Sequence, residues 1–546
     1  MRAWAGRLPG WGWLLAAVAA GWGLLQLCRP RFFLTDDTFS LFFPVWVSVG
    51  RALREGRPFW ICEELFGGGY NLAADAQMIP LWHPVMLGLS LLGDTVLQSW
   101  LVEMVALMNL LLAAGGFWYL TGRLEEQGLV GVPVWVRAGL ALSWTFSMYA
   151  LLLGSSGIWY LAHVAALPWM VGAALDLRSG RSAWVMALAV AHSAVGGYPS
   201  CFAYSMISLA LPLAWRAWKH PAGWLGGPVR GVVFGGIGAL PFLLPALLAL
   251  DDSVRGGRIP VDIASECRFP LPVLLGSLFA GSLSAQLGEI TLFGRQAHAY
   301  ALGVSAAAGL ALLGLLRPPG RWNSWDAVVA SGWVLAALLV SRPDWLGQWI
   351  QHVPLLGSLR WPHKEMFLAV FWLHLLALRG SWATLRLQAA AAAFGLAVWL
   401  LPLALAGMPS LNEHRVSREL YFSGDAARHW RALLDRESAV TAPAMHAAHL
   451  EDLARYPQVP WILLGSHNFP ALYSGRSWTG YSATLPHRLF TRQPAMANVY
   501  GVLRAEDAAL FQSLTGGTVL FYDPSRRPPV RSDPAPTSDE ARQKIP

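Results

Sequence analysis

The sequence predicts a polytopic α-helical membrane protein. Three observations carry that prediction. The chain of 546 residues is 55% hydrophobic and only 13% charged, where soluble domains carry about 25% charged residues. Apolar stretches of the length a bilayer crossing needs, roughly 20 residues, recur along most of it. The short connections between them alternate in basic content, the asymmetry that sets orientation in a membrane. The net charge of +8 is scattered over these loops, so it is no nucleic-acid footprint. Four cysteines exclude a disulfide scaffold. A bridge between Cys62 and Cys267 stays open beside the reading of two unrelated thiols.

Spans are expected near 11–28, 95–120, 136–153, 157–175, 183–197, 199–215, 229–250, 299–316, 327–341, 364–378 and 387–406, about 11 in all. The first follows Arg2 and Arg7 and ends at Leu25-Gln26-Leu27-Cys28 without a small-residue cleavage site, so it reads as an uncleaved span. Residues 29–94 form the first outer loop. Within it, Thr35 or Asp36 is placed to cap a helix over 38–52, and Gly56 to end it. The apolar piece 79–92, broken by Pro80 and Pro84, is too short to span and reads as interfacial or re-entrant. Gly196, Gly197 and Pro199 split 183–197 from 199–215; one kinked helix there would flip the parity of everything downstream.

With the N-terminus inside, the inside loops hold Arg123 and Arg137, Arg178 and Arg181, Arg216 and Lys219, Arg317 and Arg321, then Arg379 and Arg386, as the positive-inside rule asks. The same parity puts 29–94, 251–298, 342–363 and everything past 407 outside. From Pro409 the composition turns polar. Residues 407–522 read as a small outer α/β domain, with a helix near 426–437 and a short strand at 518–522 after Gly516-Gly517. The tail 523–546, rich in Pro, Ser, Asp and Arg, reads as disordered. No internal repeat of fixed period is visible.

The chemistry-bearing residues gather in the outer loops. Asp36 and Asp37 directly follow the first span. Carboxylates beside a membrane are costly to desolvate and are functional candidates for that reason. Raised proton affinity there suits a general base, with Arg29 and Arg31 near in sequence as partners. The structural alternative is a solvated acidic loop that caps the next helix. Glu63 and Glu64 lie further along, before the Gly67-Gly68-Gly69 turn. That triplet has no preceding strand and no Gly-Lys-Ser/Thr after it, so it is no nucleotide phosphate loop. With Asp36 and Asp37, these glutamates offer oxygen ligands for a divalent cation such as Mg or Mn; nothing in the sequence demands one, and no His-Glu-x-x-His, paired Cys-x-x-Cys or Gly-x-Ser-x-Gly pattern occurs. Trp60 and Trp82 suit stacking on a sugar or isoprenoid, or plain membrane anchoring. His83 is an outer histidine near the same loop. Arg360, His363 and Lys364 stand at the outer start of a span, where a phosphate is favoured by cations and a helix N-terminus; interfacial snorkelling is the alternative. Arg255 and Arg258 form a similar outer cluster.

At these residues the chain resembles the YfhO-type bacterial membrane proteins, of the GT-C class of integral-membrane glycosyltransferases. That family's first outer loop has an Asp shortly after span one, an aromatic-Pro step, Leu-Arg-x-Gly-x-x-Pro-x-Trp, a Phe-Gly-Gly turn and an apolar-Pro segment. Here this reads Asp37 to Phe43-Pro44, then Leu53-Arg54-Glu55-Gly56-Arg57-Pro58-Phe59-Trp60, Phe66-Gly67-Gly68, and Ala74-Asp75-Ala76-Gln77 on to Pro80. The step from Gly56 to Pro58 is one residue shorter than the pattern. Gly196-Gly197-Tyr198-Pro199 is similar to a Gly-His-Pro-Gln step but lacks the His and Gln. Leu359-Arg360-Trp361-Pro362-His363-Lys364 is similar to an Arg-x-Pro-x-Arg helix start, with Lys for the second Arg. Weaker similarities lie at Leu244-Pro245 with Arg255-Gly256-Gly257, at Asn468-Phe469-Pro470, and from Gly480-Tyr481-Ser482 to Pro486.

The resemblance implies a GT-C-like bundle over 1–406, in the bacterial cytoplasmic (inner) membrane. It implies a transferase that takes a sugar from a polyprenyl-phosphate donor to an outer hydroxyl on a glycan, lipid or polymer. Asp37, with Asp36 second, would be the base, giving inversion. Arg360 and Lys364, with His363, Arg255 and Arg258, would face the donor phosphate; Trp60, Glu63, Glu64, Trp82 and His83 would line the substrate. A lipid or polysaccharide transporter would instead show two symmetric halves with mid-membrane charges, and an envelope-assembly scaffold would need no base. The charges here sit at the outer rim, and no two-half symmetry is visible.

Overall fold

The computed structural model describes residues 8–34, 37–63, 65, 70–92, 95–221, 225–249, 322–353 and 362–379, with isolated positions between. The expected spans at 299–316 and 387–406, the outer domain at 407–522 and the tail lie outside them. The described chain is mostly helical, and its long apolar helices are those of a helical membrane protein. Among the described residues, four helical segments are long and apolar enough to cross a membrane: Trp11–Cys28, Leu97–Glu126, Gly226–Ala249 and Ser324–Ser341. Val233, Phe234, Ile237 and Leu240 stand at least 46% exposed on the third. In water such a face would be an aggregation liability; in lipid it is the expected outer surface.

In chain order the helices are α1 (Leu8–Cys28), α2 (Phe43–Arg54), α3 (Pro84–Ser90), α4 (Thr95–Glu126), α5 (Val134–Thr145), α6 (Met148–Ser156), α7 (Trp159–Leu175), α8 (Ser179–Gly196), α9 (Pro199–Lys219), α10 (Arg230–Ala249), α11 (Ser324–Ser341), α12 (Asp344–Gln351) and α13 (Met366–Ala377). Two expectations are corrected. The span expected at 136–153 is two helices, because Ser147 breaks it and caps α6 by accepting from the Ala150 N–H at 3.3 Å. The span expected from 364 begins with a 3-10 turn, Pro362–Glu365, before α13. The region 183–215 is two helices, α8 and α9, with extended backbone at Gly197 and Tyr198 between them.

The chain divides into two compact units. The second unit includes 34–101. Its core is α2, buried on nearly every face. Trp46 Nε1 donates to the Met86 carbonyl at 2.8 Å. The last carbonyl of α3, Ser90 O, is an orphan acceptor of the kind helix ends leave; Arg54 Nη1 and Gln98 Nε2 satisfy it at 3.0 and 2.9 Å. Gly56, at φ 67°, turns the chain out of α2 in a left-handed conformation that glycine adopts without strain. Two short strands follow, β1 (Ile61–Cys62) antiparallel to β2 (Tyr70–Asn71), with Cys62 opposite Tyr70. Cys62 is buried, its Sγ 3.9 Å from Ser48 Oγ; Cys267 lies outside the described residues.

The first unit holds most of the bundle. α7 packs along α8, and α11 along α13. His374 of α13 meets Ser143 Oγ of α5 at 2.8 Å, and Trp372 Nε1 donates to Ser208 Oγ of α9 at 2.8 Å. One end of this unit collects the basic loops. Asp176, buried after α7, accepts from Tyr119 at 2.9 Å and faces Arg123 and Arg181 at 3.6 and 3.7 Å. Arg216 donates to the Ala174 and Asp176 carbonyls at 3.1 and 2.5 Å. Arg137 holds the Trp118 carbonyl at 2.7 Å. Arg379 pairs with buried Asp326 (Nη2–Oδ2 2.6 Å) and donates to the Leu129 carbonyl at 2.5 Å. These arginines fall in loops that the sequence places on one side of the membrane.

Candidate functional site

In the second unit, Asp37 stands at the N-terminal edge of a five-residue π-helical segment, Thr38–Phe42, that runs directly into α2. Isolated π turns inside helices recur at functional sites. Asp37 is half-buried, has helical φ and ψ, and makes no capping hydrogen bond through its side chain. Thr35 and Asp36, expected as caps, lie outside the described residues.

The remainder of this loop is held by Asp75. It is buried, accepts from the Tyr70 hydroxyl at 2.8 Å, and caps the 3-10 helix Ala76–Trp82 by accepting from the Gln77 N–H at 2.8 Å. Both bonds join residues at most five apart, so Asp75 shapes the loop. An Asp directly before a helical turn is an Asx-type signal legible in sequence, though only the resemblance pointed to this position. Glu63 pairs with Arg57 at 3.2 Å, and Arg57 with Glu55 at 2.7 Å. These half-exposed pairs are worth ~0–1 kcal/mol. Trp60 is 46% exposed and Trp82 only 5%. Phe59 sits between them, 5.2 Å from Trp60 and 5.9 Å from Trp82. Trp60 thus offers an open aromatic face, while Trp82 belongs to the packing. His83 is half-buried before α3, and burial holds its proton affinity below the ordinary imidazole value. Glu64 lies outside the described residues, and among those described no group of three His, Cys, Asp or Glu converges as a metal site.

In the first unit, Lys364 is only 5% exposed. Its ammonium lies 4.5 Å from the Tyr198 ring centroid and 5.4 Å from that of Tyr160, cation–π distances that gain strength away from water. The Lys364 carbonyl accepts from the Tyr149 hydroxyl at 2.7 Å and from the Cys201 thiol at 3.7 Å. Arg342, wholly buried after α11, donates from Nη2 to the Tyr204 hydroxyl at 2.8 Å. Its φ of 37° is left-handed, a conformation a side chain adopts at a cost. Glu365, also wholly buried, completes the cluster. It lies within electrostatic reach of both Arg342 and Lys364. Four helices therefore contribute to it: α6 (Tyr149), α7 (Tyr160), α9 (Cys201, Tyr204) and α11 through its C-cap, Arg342. Among the predicted cations here only the Lys364 side chain is described; Arg360, Arg255, Arg258 and the His363 side chain lie outside. Arg342, Glu365 and the tyrosines had no sequence signal, because they come from separate helices. Glu365 stood beside a predicted residue with no partner to mark it.

No protein-family model, curated protein or solved structure matches this chain.

Proposed function

We propose that this chain is a membrane glycosyltransferase of GT-C-like topology. It moves a sugar from a polyprenyl-phosphate donor to an extracytoplasmic acceptor hydroxyl with inversion. It works in the bacterial inner membrane, with about 11 spans, the N-terminus inside and a small outer C-terminal domain. The observation that carries the reading is the buried Lys364, a cation kept at the start of an apolar helix within a helical bundle. Ionisable groups in such places are costly and are kept for function. A lipid phosphate is an anion that reaches such a position from the bilayer itself, and a cation shielded from water stabilises it strongly as it leaves.

Asp37 is the base in this reading. It follows the first helix, is half-buried, and heads a buried helical stretch. Arg360, where its sequence position matches the family's helix start, joins Lys364 on the phosphate, and Trp60 offers an aromatic face for the sugar or acceptor.

The test is transfer from a panel of polyprenyl-phosphate sugars by purified protein, beside Asp37→Asn. The variant is expected to fold and to lose ~10²–10⁴-fold in rate, the usual contribution of a positioned base. Full transfer by the variant would remove Asp37 from the chemistry. Absence of transfer from every donor would remove the enzyme reading.

A further inference from the structure

We infer that Glu365 is the acceptor for hydroxyl groups of the sugar whose lipid phosphate Lys364 faces; the inference rests on the glycosyltransferase reading above. Glu365 is 0% exposed, and apart from its own backbone N–H neither carboxyl oxygen meets a hydrogen-bond donor among the described residues. A carboxylate has about four lone-pair sites, and burying them without donors is among the most costly arrangements in a protein. An orphan of this kind calls for a specific explanation.

Three neighbouring donors are turned elsewhere. The Tyr149 hydroxyl and Cys201 thiol both point to the Lys364 carbonyl. Arg342 Nη2 points to Tyr204. Yet Tyr149, Cys201, Tyr204, Arg342 and Lys364 all sense the Glu365 charge or are sensed by it. The carboxyl group therefore has polar groups around it and acceptor capacity left over. A ligand that brings O–H donors supplies what is missing. A sugar does so, and the Tyr160 and Tyr198 rings beside Lys364 suit its C–H faces. Glu365 is the chain neighbour of Lys364, about 3.8 Å away at Cα. Glu365 is thus a specificity-determining residue: it reads the sugar, while Lys364 reads the phosphate common to every such donor.

The experiment compares binding of two lipids by the full chain in detergent: polyprenyl phosphate alone, and polyprenyl phosphate carrying glucose, mannose or N-acetylglucosamine. Wild type is expected to bind at least one sugar-bearing lipid more tightly than the bare one. Glu365→Gln should weaken that lipid by ~10-fold, about the worth of one hydrogen bond, and leave the bare lipid unchanged. Lys364→Met should weaken both. Equal weakening of both lipids by Glu365→Gln would overturn the inference and make Glu365 a counter-ion that positions Lys364. No change in either would overturn it as well. If wild type binds sugar-bearing and bare lipids equally, the sugar is not read, and the inference fails while the lipid-phosphate reading stands. If wild type binds neither, both fall. Should Glu365→Gln not fold, Glu365→Asp keeps the charge, retracts it by one methylene, and gives the same discrimination.

Discussion

Asp326 serves two bonds at once. It completes a capping box at the start of α11, accepting from the Asn323 N–H at 2.6 Å while Asn323 Oδ1 accepts from the Trp325 and Asp326 N–H groups at 2.9 and 3.1 Å. It also neutralises buried Arg379. Removing one partner of a buried pair costs about 3–5 kcal/mol, because a bare charge is left behind. Asp326→Ala should therefore lower stability by about that amount in thermal unfolding, and Asp326→Ala with Arg379→Met should recover most of it. A single-variant loss under ~1 kcal/mol would mean that water reaches the pair. His83 gives a pH-dependent counterpart. Its folded-state proton affinity lies below the ordinary value of 6.5, so below about that pH the unfolded chain binds a proton that the folded chain refuses. Stability is full above that value and falls as the pH drops through it. His83→Gln should flatten the acid side of a plot of melting temperature against pH, and an unchanged slope would show that other groups set it.

The contact between α11 and α13 depends on a missing side chain. A Cβ at Gly332 would lie 2.3 Å from the Trp372 ring, far inside van der Waals contact. Trp372 is itself fixed by Ser208 and cannot swing aside cheaply. Gly332→Val should cost about 1–3 kcal/mol or more as overpacking and separate the two helices; a variant as stable as wild type would mean that the pair slides freely. Helices of this kind were legible from apolar run length alone, and α1, α8, α9, α10 and α11 sit close to where the sequence put them. The break at Ser147 was not, since Trp144-Thr145-Phe146-Ser147-Met148 continues an apolar run and only the hydroxyl's choice of the Ala150 N–H interrupts it. The site divides in the same way. Asp37, Trp60 and Lys364 could be read locally, because each stands beside a span or in a patterned loop. Arg342 and Glu365 could not, because what sets them apart is burial and the tyrosines of α6, α7 and α9, which linear order scatters.

At the scale of the molecule the arginines define an end. Arg123, Arg178, Arg181, Arg216 and Arg379 belong to loops that the sequence places inside, and the first unit gathers Arg123, Arg181 and Arg216 around Asp176. With Cys28 and Cys267 replaced by Ser, a cysteine at Arg178, itself half-exposed, should resist a membrane-impermeant maleimide in intact cells, and one at Trp60 should react. The reverse pattern would invert the orientation, and with it the side on which acceptors are met. The Asp176 cluster also sets a sequence of events in time. Arg123 has already left the ribosome when Asp176 is made, Arg178 and Arg181 follow within moments, and Arg216 closes the group two helices later. The carboxylate is thus accompanied by a cation throughout insertion, and α4, α7, α8 and α9 can mature as one block while α11 and α13 are still being synthesised.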